Sequence, residues 1–173
     1  MNVPNILTTL RLLMVPIFGY FAYNENYLPA IIIFALAWFT DVLDGYIARK
    51  FNMVTSFGKL TDPLADKLMQ VTALVFLAIQ GIIFPFIVVI VVVKEILMAI
   101  GGYIIYKGEK YVVQSTWFGK ISAGSFYVAI ILAMFNMPYS SEIMIAALVV
   151  MLIAFLLYIR EYFRLKKQLA MNK

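Results

Sequence analysis

The sequence predicts an all-α integral membrane protein: six transmembrane helices forming a single membrane domain over residues 1–173, both termini cytoplasmic, with a polar cavity opening to the cytosol. Three observations carry this expectation. Of 173 residues, 64% are hydrophobic and 13% charged, and mean hydropathy is +0.94. A soluble domain is nearer half apolar and about a quarter charged, and so short a chain cannot hide that much apolar side chain in an aqueous core. The chain also divides into six apolar segments, each near the ~20 residues that cross a ~30 Å hydrocarbon layer. Finally, the basic residues fall on alternate connectors, all on one side.

The first segment, 6–23, has no basic stretch before it and no small-residue cleavage site after it, so it reads as a span and not a cleavable signal. Pro16 inside it is a kink that a bundle tolerates. Asn24-Glu25-Asn26 turns the chain into the second segment, 28–48, which ends against Arg49 and Lys50. The third, 57–79, begins beside Lys59 and ends at Gln80-Gly81. The fourth, 84–107, opens at Pro85 and runs to Lys107 and Lys110. The fifth, 117–136, carries Lys120 a turn in and stops at Asn136-Met137-Pro138. The sixth, 142–163, leads into Arg160, Arg164, Lys166, Lys167 and Lys173. The opposite connectors hold only Glu25 and Glu142, and the positive-inside rule then puts both termini in the cytoplasm. This placement accounts for the net charge of +5 through lipid head groups, with no basic stripe of the kind nucleic acid needs.

Chemistry is bounded by what is missing. Without Cys or His there is no disulfide, no zinc or haem ligand set, no thiol nucleophile and no imidazole base. Four of the nine acids lie inside the second and third segments: Asp41, Asp44, Asp62 and Asp66. Each costs about 2.5–3.5 kcal/mol in a membrane helix if unpaired. At about 1.5 Å per residue, Asp62 is roughly 8 Å and Asp66 roughly 14 Å above the start of its helix, in one layer with Asp41 and Asp44. Asp41, Asp44, Gly45 and Ala48 share a helix face, as do Gly58, Asp62 and Asp66. Helices joined by a short connector are expected to be antiparallel neighbours, which sets the two acidic faces against each other. Facing carboxylates need protons or cations between them, and oxygen-only ligands select hard ions such as Mg²⁺, Mn²⁺ or Ca²⁺. The plainer alternative is ion pairing with Arg49, Lys50, Lys59 and Lys67.

Residues 41–66 read DVLDGYIARKFNMVTSFGKLTDPLAD, a D-x2-D-G-x2-A-R-x8-G-x3-D-x3-D pattern. This resembles the signature of the CDP-alcohol phosphotransferases, integral membrane enzymes of phospholipid synthesis. The opening Val3-Pro4-Asn5-Ile6-Leu7-Thr8-Thr9-Leu10-Arg11 and the run Asp62-Pro63-Leu64-Ala65-Asp66-Lys67 are similar to the branch whose acceptor is glycerol 3-phosphate. Where that branch has Arg-Glu in the fourth helix, this chain has Lys94-Glu95. Where it has Gly-Lys followed by Thr and Gln in the fifth, this chain has Gly119-Lys120 followed by Ile121, Ser122 and Ala123. These departures bear on the acceptor.

The resemblance implies transfer of the phosphatidyl group of CDP-diacylglycerol, by attack of the acceptor hydroxyl on the β-phosphate with release of CMP, at the cell membrane and on its cytoplasmic side. It implies Mg²⁺ or Mn²⁺, two ions, held by Asp41, Asp44 and Asp62, with Asp66 completing the second site and taking the acceptor's proton. It implies that the nucleotide lies against Gly45, Ala48 and Arg49, with Gly58 giving clearance, and that the protein is a homodimer. Asn5 and Thr8 are candidates for nucleotide contact, although either would equally cap a helix start.

Lys94, Lys120 and Arg11 are candidates for an acceptor phosphate. Lys94 sits near mid-bilayer, and neighbours on one helix point ~100° apart, which disfavours a direct Lys94–Glu95 pair. Lys120 equally suits snorkelling to head groups. Gly101-Gly102 and Gly119 with Ala123 read as close-packing sites, and the many Met, Phe and Tyr as core or lipid-facing filler. Other acceptors (phosphatidylglycerol, as in the family's cardiolipin synthases, inositol phosphate or serine) stay open. A divalent-cation transporter is the remote alternative, disfavoured because the acids sit in one hairpin with no outward polar path.

Overall fold

Six helices account for nearly all of the described residues: α1 (Val3–Tyr23), α2 (Tyr27–Lys50), α3 (Ser56–Ile79), α4 (Pro85–Glu109), α5 (Trp117–Met134) and α6 (Ser140–Met171). The computed structural model describes the backbone of residues 3–51, 56–109 and 117–171, and their side chains outside 3–4, 48–49, 56–60, 102–109, 162 and 165–171. Each helix coincides with an apolar segment of the sequence, with its ends shifted by a few residues. The exception is α6, which continues eight residues past the expected 163, through the basic stretch. The connectors between α1 and α2, α3 and α4, and α5 and α6 are tight, and Glu25, Gly81, Asn136 and Tyr139 take positive φ there. Only Gly81, at φ 71°, is free of the steric cost a side chain meets in that region.

Among the described residues, four helical stretches are long and apolar enough to cross a bilayer: Asn5–Tyr23, Tyr27–Ile47, Trp117–Met134 and Ser140–Glu161. The surface agrees, since large apolar side chains such as Leu13, Ile32, Phe39, Val89 and Leu156 stand exposed along the helices. Water would not tolerate that surface, and lipid does. The chain is a membrane protein. Helix α3 is the least apolar along its first half because it carries Asp62, Asp66 and Lys67.

Packing departs from the simple hairpin order in one way that matters. Helix α1 lies against both α2 and α3, which touch each other less extensively, while α5 pairs with α6 and α3 also meets α4. The core between them is apolar, built from Phe18, Phe34, Met69, Leu74, Ile87, Phe126, Ile130 and Met144. Polar bonds close the connector end: Gln80 Nε2 donates to the Ala22 carbonyl at 2.9 Å, and Ser141 Oγ donates to that of Ile82 at 2.8 Å. These leave the opposite end of the bundle to the charged side chains.

Candidate active site

The acids of α2 and α3 are joined by side chains of a third helix. Helix α1 brings Thr8 and Arg11, one turn apart and on one face, into the space between them. Arg11 is buried at 1% exposure; its Nη1 donates to Asp41 Oδ1 at 2.7 Å and its Nη2 to Asp44 Oδ2. Thr8, wholly buried, donates through its hydroxyl to Asp62 Oδ1. The expectation of bare facing carboxylates is thereby refined. An acid layer inside lipid must find compensation within the protein, and α1 supplies it. Charge is still unbalanced, because three carboxylates meet one guanidinium and Asp62 repels both Asp41 and Asp44. Arg11 Nε, buried, has no hydrogen-bond partner.

The fourth acid belongs to a second group. Asp66 accepts a hydrogen bond from the Tyr127 hydroxyl of α5. Tyr127 is held in turn by α2: its ring stacks on Trp38 at 5.9 Å and tilts against Phe34 at 5.4 Å. Lys67 Nζ stands 3.9 Å from Asp66 Oδ2 and 3.2 Å from Glu95 Oε1, and Lys94 Nζ is 2.6 Å from the same Glu95 oxygen. The Lys94–Glu95 pair, disfavoured by helix geometry, forms because both side chains are long and Lys67 draws Glu95 from α3. This group balances, with two ammonium groups for two carboxylates.

These lysines border a cavity of about 330 Å³ between α3, α4, α5 and α6. Gln70, Gly119, Ser122, Ala123, Phe126 and Tyr127 complete much of its wall. Gly119 and Ala123 thus make room for the cavity, where the sequence had suggested helix packing. A wider cleft of about 680 Å³ lies among the tight connectors at the other end, but none of the intramembrane carboxylates borders it.

The structure therefore brings together Arg11, Thr8, Asp41, Asp44 and Asp62 on one side, and Asp66, Lys67, Lys94 and Glu95 on the other. Asn5 lies in the first turn of α1, where its carbonyl accepts from Thr9 Oγ1 at 2.9 Å. Gly45 is half-buried on α2. The side chains of Ala48 and Arg49, and position 58 as a packing site, lie outside the described residues. Lys120 is exposed and does not border the cavity. Sequence reasoning missed Tyr127 and Gln70. Tyr127 follows Gly119 and Ala123 at helical spacing on α5, and Gln70 follows Asp66 by four residues on α3, so each had a positional signal.

The donor set fits a hard divalent cation: oxygen ligands only, and an excess of two negative charges beside Arg11. Among the described residues, no three carboxylates converge on one point where together they could hold a metal ion.

Known proteins carry the comparison further. The model of the CDP-alcohol phosphatidyltransferase family matches residues 1–158. A Mycobacterium tuberculosis protein named as a probable phosphatidylglycerophosphate synthase is 35% identical over 162 residues, 90% of this chain and 76% of its own. Two proteins named CDP-diacylglycerol–glycerol-3-phosphate 3-phosphatidyltransferase are similar to the same degree. The one from Bacillus subtilis is 34% identical over 154 residues (80% of this chain, 79% of its own). That from Aquifex aeolicus is 35% identical over 124 residues (70% and 69%).

Proposed function

The chain belongs to the CDP-alcohol phosphatidyltransferase family, and from that premise we propose that it transfers the phosphatidyl group of CDP-diacylglycerol to glycerol 3-phosphate, forming phosphatidylglycerophosphate and CMP. The names of the relatives support the substrates. The observation that carries the reading is the hydrogen bond from Tyr127 to Asp66, which joins the carboxylate layer to a cavity bordered by two lysines.

In this reading all six helices span the cytoplasmic membrane of the cell, both termini are cytoplasmic, and the cavity opens to the cytosol. The nucleotide enters from water while the acyl chains stay in lipid. Asp41, Asp44, Asp62 and Asp66 would hold Mg²⁺ or Mn²⁺, two ions, which would supply positive charge against the diphosphate. Arg11 belongs with this layer, where its unpartnered Nε is left to donate to a diphosphate oxygen. Gly45, Ala48, Arg49 and Gly58, with Asn5 and Thr8, line the path of the CDP moiety. Lys94, assisted by Lys67, takes the acceptor phosphate. Asp66 orients the primary hydroxyl and accepts its proton as the new P–O bond forms and the bond to CMP breaks.

The test is CMP release by purified protein given CDP-diacylglycerol, Mg²⁺ or Mn²⁺ and one acceptor at a time. Glycerol 3-phosphate should support turnover well above phosphatidylglycerol, inositol phosphate or serine, and chelation should abolish it until the ion is restored. A different preferred acceptor would move the protein within its family. No acceptor-dependent CMP with any of them would overturn the proposal.

A further inference from the structure

Gln70 stands out within the cavity. It is four residues beyond Asp66 on α3, on the same face and one turn farther from the start of the helix. It is 3% exposed, forms part of the wall, and its amide oxygen has no hydrogen-bond partner. The charged groups around it are occupied with each other: Lys94 and Lys67 with Glu95, and Tyr127 with Asp66. Met98 and Phe126 add apolar surface to the wall, and Ser122 and Tyr158 add hydroxyls. Buried polar atoms in native proteins are almost always paired, so one left without a partner in a ligand-sized cavity marks a donor that arrives from outside.

We propose that Gln70 reads the non-reacting hydroxyl of the acceptor, so that the cavity selects a phosphorylated polyol over a phosphorylated simple alcohol. This rests on the reading that the cavity takes the acceptor. The wall, with Asp66 joined to it through the Tyr127 hydroxyl, fixes the pose. The phosphate lies at Lys94 and Lys67, the attacking hydroxyl at Asp66, and a hydroxyl on the carbon between them donates to the Gln70 amide oxygen. Asp66 and Gln70 are one helical turn apart, about 6 Å along α3, which a three-carbon chain with two hydroxyls bridges. Sites that hydrogen-bond a substrate hydroxyl discriminate strongly against the analogue without it, because the buried partner is left unpaired.

The experiment compares glycerol 3-phosphate with 3-hydroxypropyl phosphate, which lacks only the central hydroxyl, in acceptor-dependent CMP release. Wild type should favour the first by at least about tenfold in kcat/KM. Gln70→Leu and Gln70→Met keep the bulk and remove the amide. They should lower kcat/KM for glycerol 3-phosphate by about tenfold, leave that for 3-hydroxypropyl phosphate and the KM for CDP-diacylglycerol within about twofold, and bring the ratio close to one. A folded variant that keeps the wild-type ratio overturns the role of Gln70 and shows that no more than a water fills its bonding site. Wild type inactive with both acceptors instead overturns the functional reading beneath it. Should neither variant fold, the wild-type ratio decides: equal use of both acceptors overturns the inference, and a preference of tenfold or more supports it.

Discussion

Replacing Tyr127 by Phe deletes one oxygen and should separate positioning of Asp66 from packing. Tyr127 is 5% exposed, and its ring is clamped by Trp38 and Phe34. A Phe ring fills the same space, so the aromatic contacts survive and stability should change little. The hydroxyl is what ties Asp66 to the cavity wall. A hydrogen bond to a charged group contributes about 1.5–3 kcal/mol. At about 1.4 kcal/mol per decade of rate, loss of that hold in the transition state lowers kcat by about 10- to 100-fold. The assay is CMP release at saturating glycerol 3-phosphate, with the KM for CDP-diacylglycerol and the thermal midpoint in detergent measured alongside. KM should stay within about twofold, because Asp41, Asp44 and Asp62 keep their own partners on α1. A folded variant with kcat within twofold of wild type would refute the reasoning, since Asp66 would then hold its orientation without Tyr127. Tyr127→Ala supplies the contrast: it also removes the ring, costs about 3–5 kcal/mol of stability, and should be visibly less stable.

Asp66→Asn should abolish turnover while the protein still inserts in the membrane; retained CMP release would remove Asp66 from the chemistry. Lys94→Ala should raise the KM for glycerol 3-phosphate about tenfold or more, with that for CDP-diacylglycerol unchanged. An equal rise in both would count against a role at the acceptor phosphate. Arg11→Met strips Asp41 and Asp44 of their buried counter-charge, a loss of about 3–5 kcal/mol. The thermal midpoint should fall sharply and be partly recovered by Arg11→Lys, and a midpoint unchanged in Arg11→Met would mean that the pair of ion bonds contributes nothing.

The sequence revealed the acid layer because an Asp in an apolar run is visible without any knowledge of neighbours. It did not reveal what compensates that layer. Arg11 meets Asp41 and Asp44 across 30 and 33 residues, and that pairing depends on α1 lying against both α2 and α3. Chain order alone favoured a bare α2–α3 hairpin. Helix spacing weighs Lys94 and Glu95 as neighbours on one helix, and the deciding residue, Lys67, comes from another. Tyr127 was hidden among eleven tyrosines in a chain where aromatic filler is the ordinary explanation, and its role exists only because α5 passes in front of α3. The apolar spans were legible, their contacts were not, and the site is made of contacts.

The distribution of charge that results is what the proposed reaction demands. Two anions must meet inside a low-dielectric bundle, a diphosphate and a phosphorylated alcohol, and each needs its own compensation. The layer at Asp41, Asp44 and Asp62 is short of positive charge, so it favours divalent cations, and through them a diphosphate. The group at Lys67, Lys94, Glu95 and Asp66 is balanced before any ligand arrives, which avoids burying two free ammonium groups when the helices insert. An acceptor phosphate must then compete with Glu95 for both lysines. That competition weakens binding of the acceptor, but it also keeps the cavity from holding arbitrary anions as tightly as a bare pair of lysines would. Asp66 stands at the boundary, tied to the cavity wall by Tyr127 and 3.9 Å from Lys67. In the proposed reaction that boundary is where a base joining the two substrates would stand.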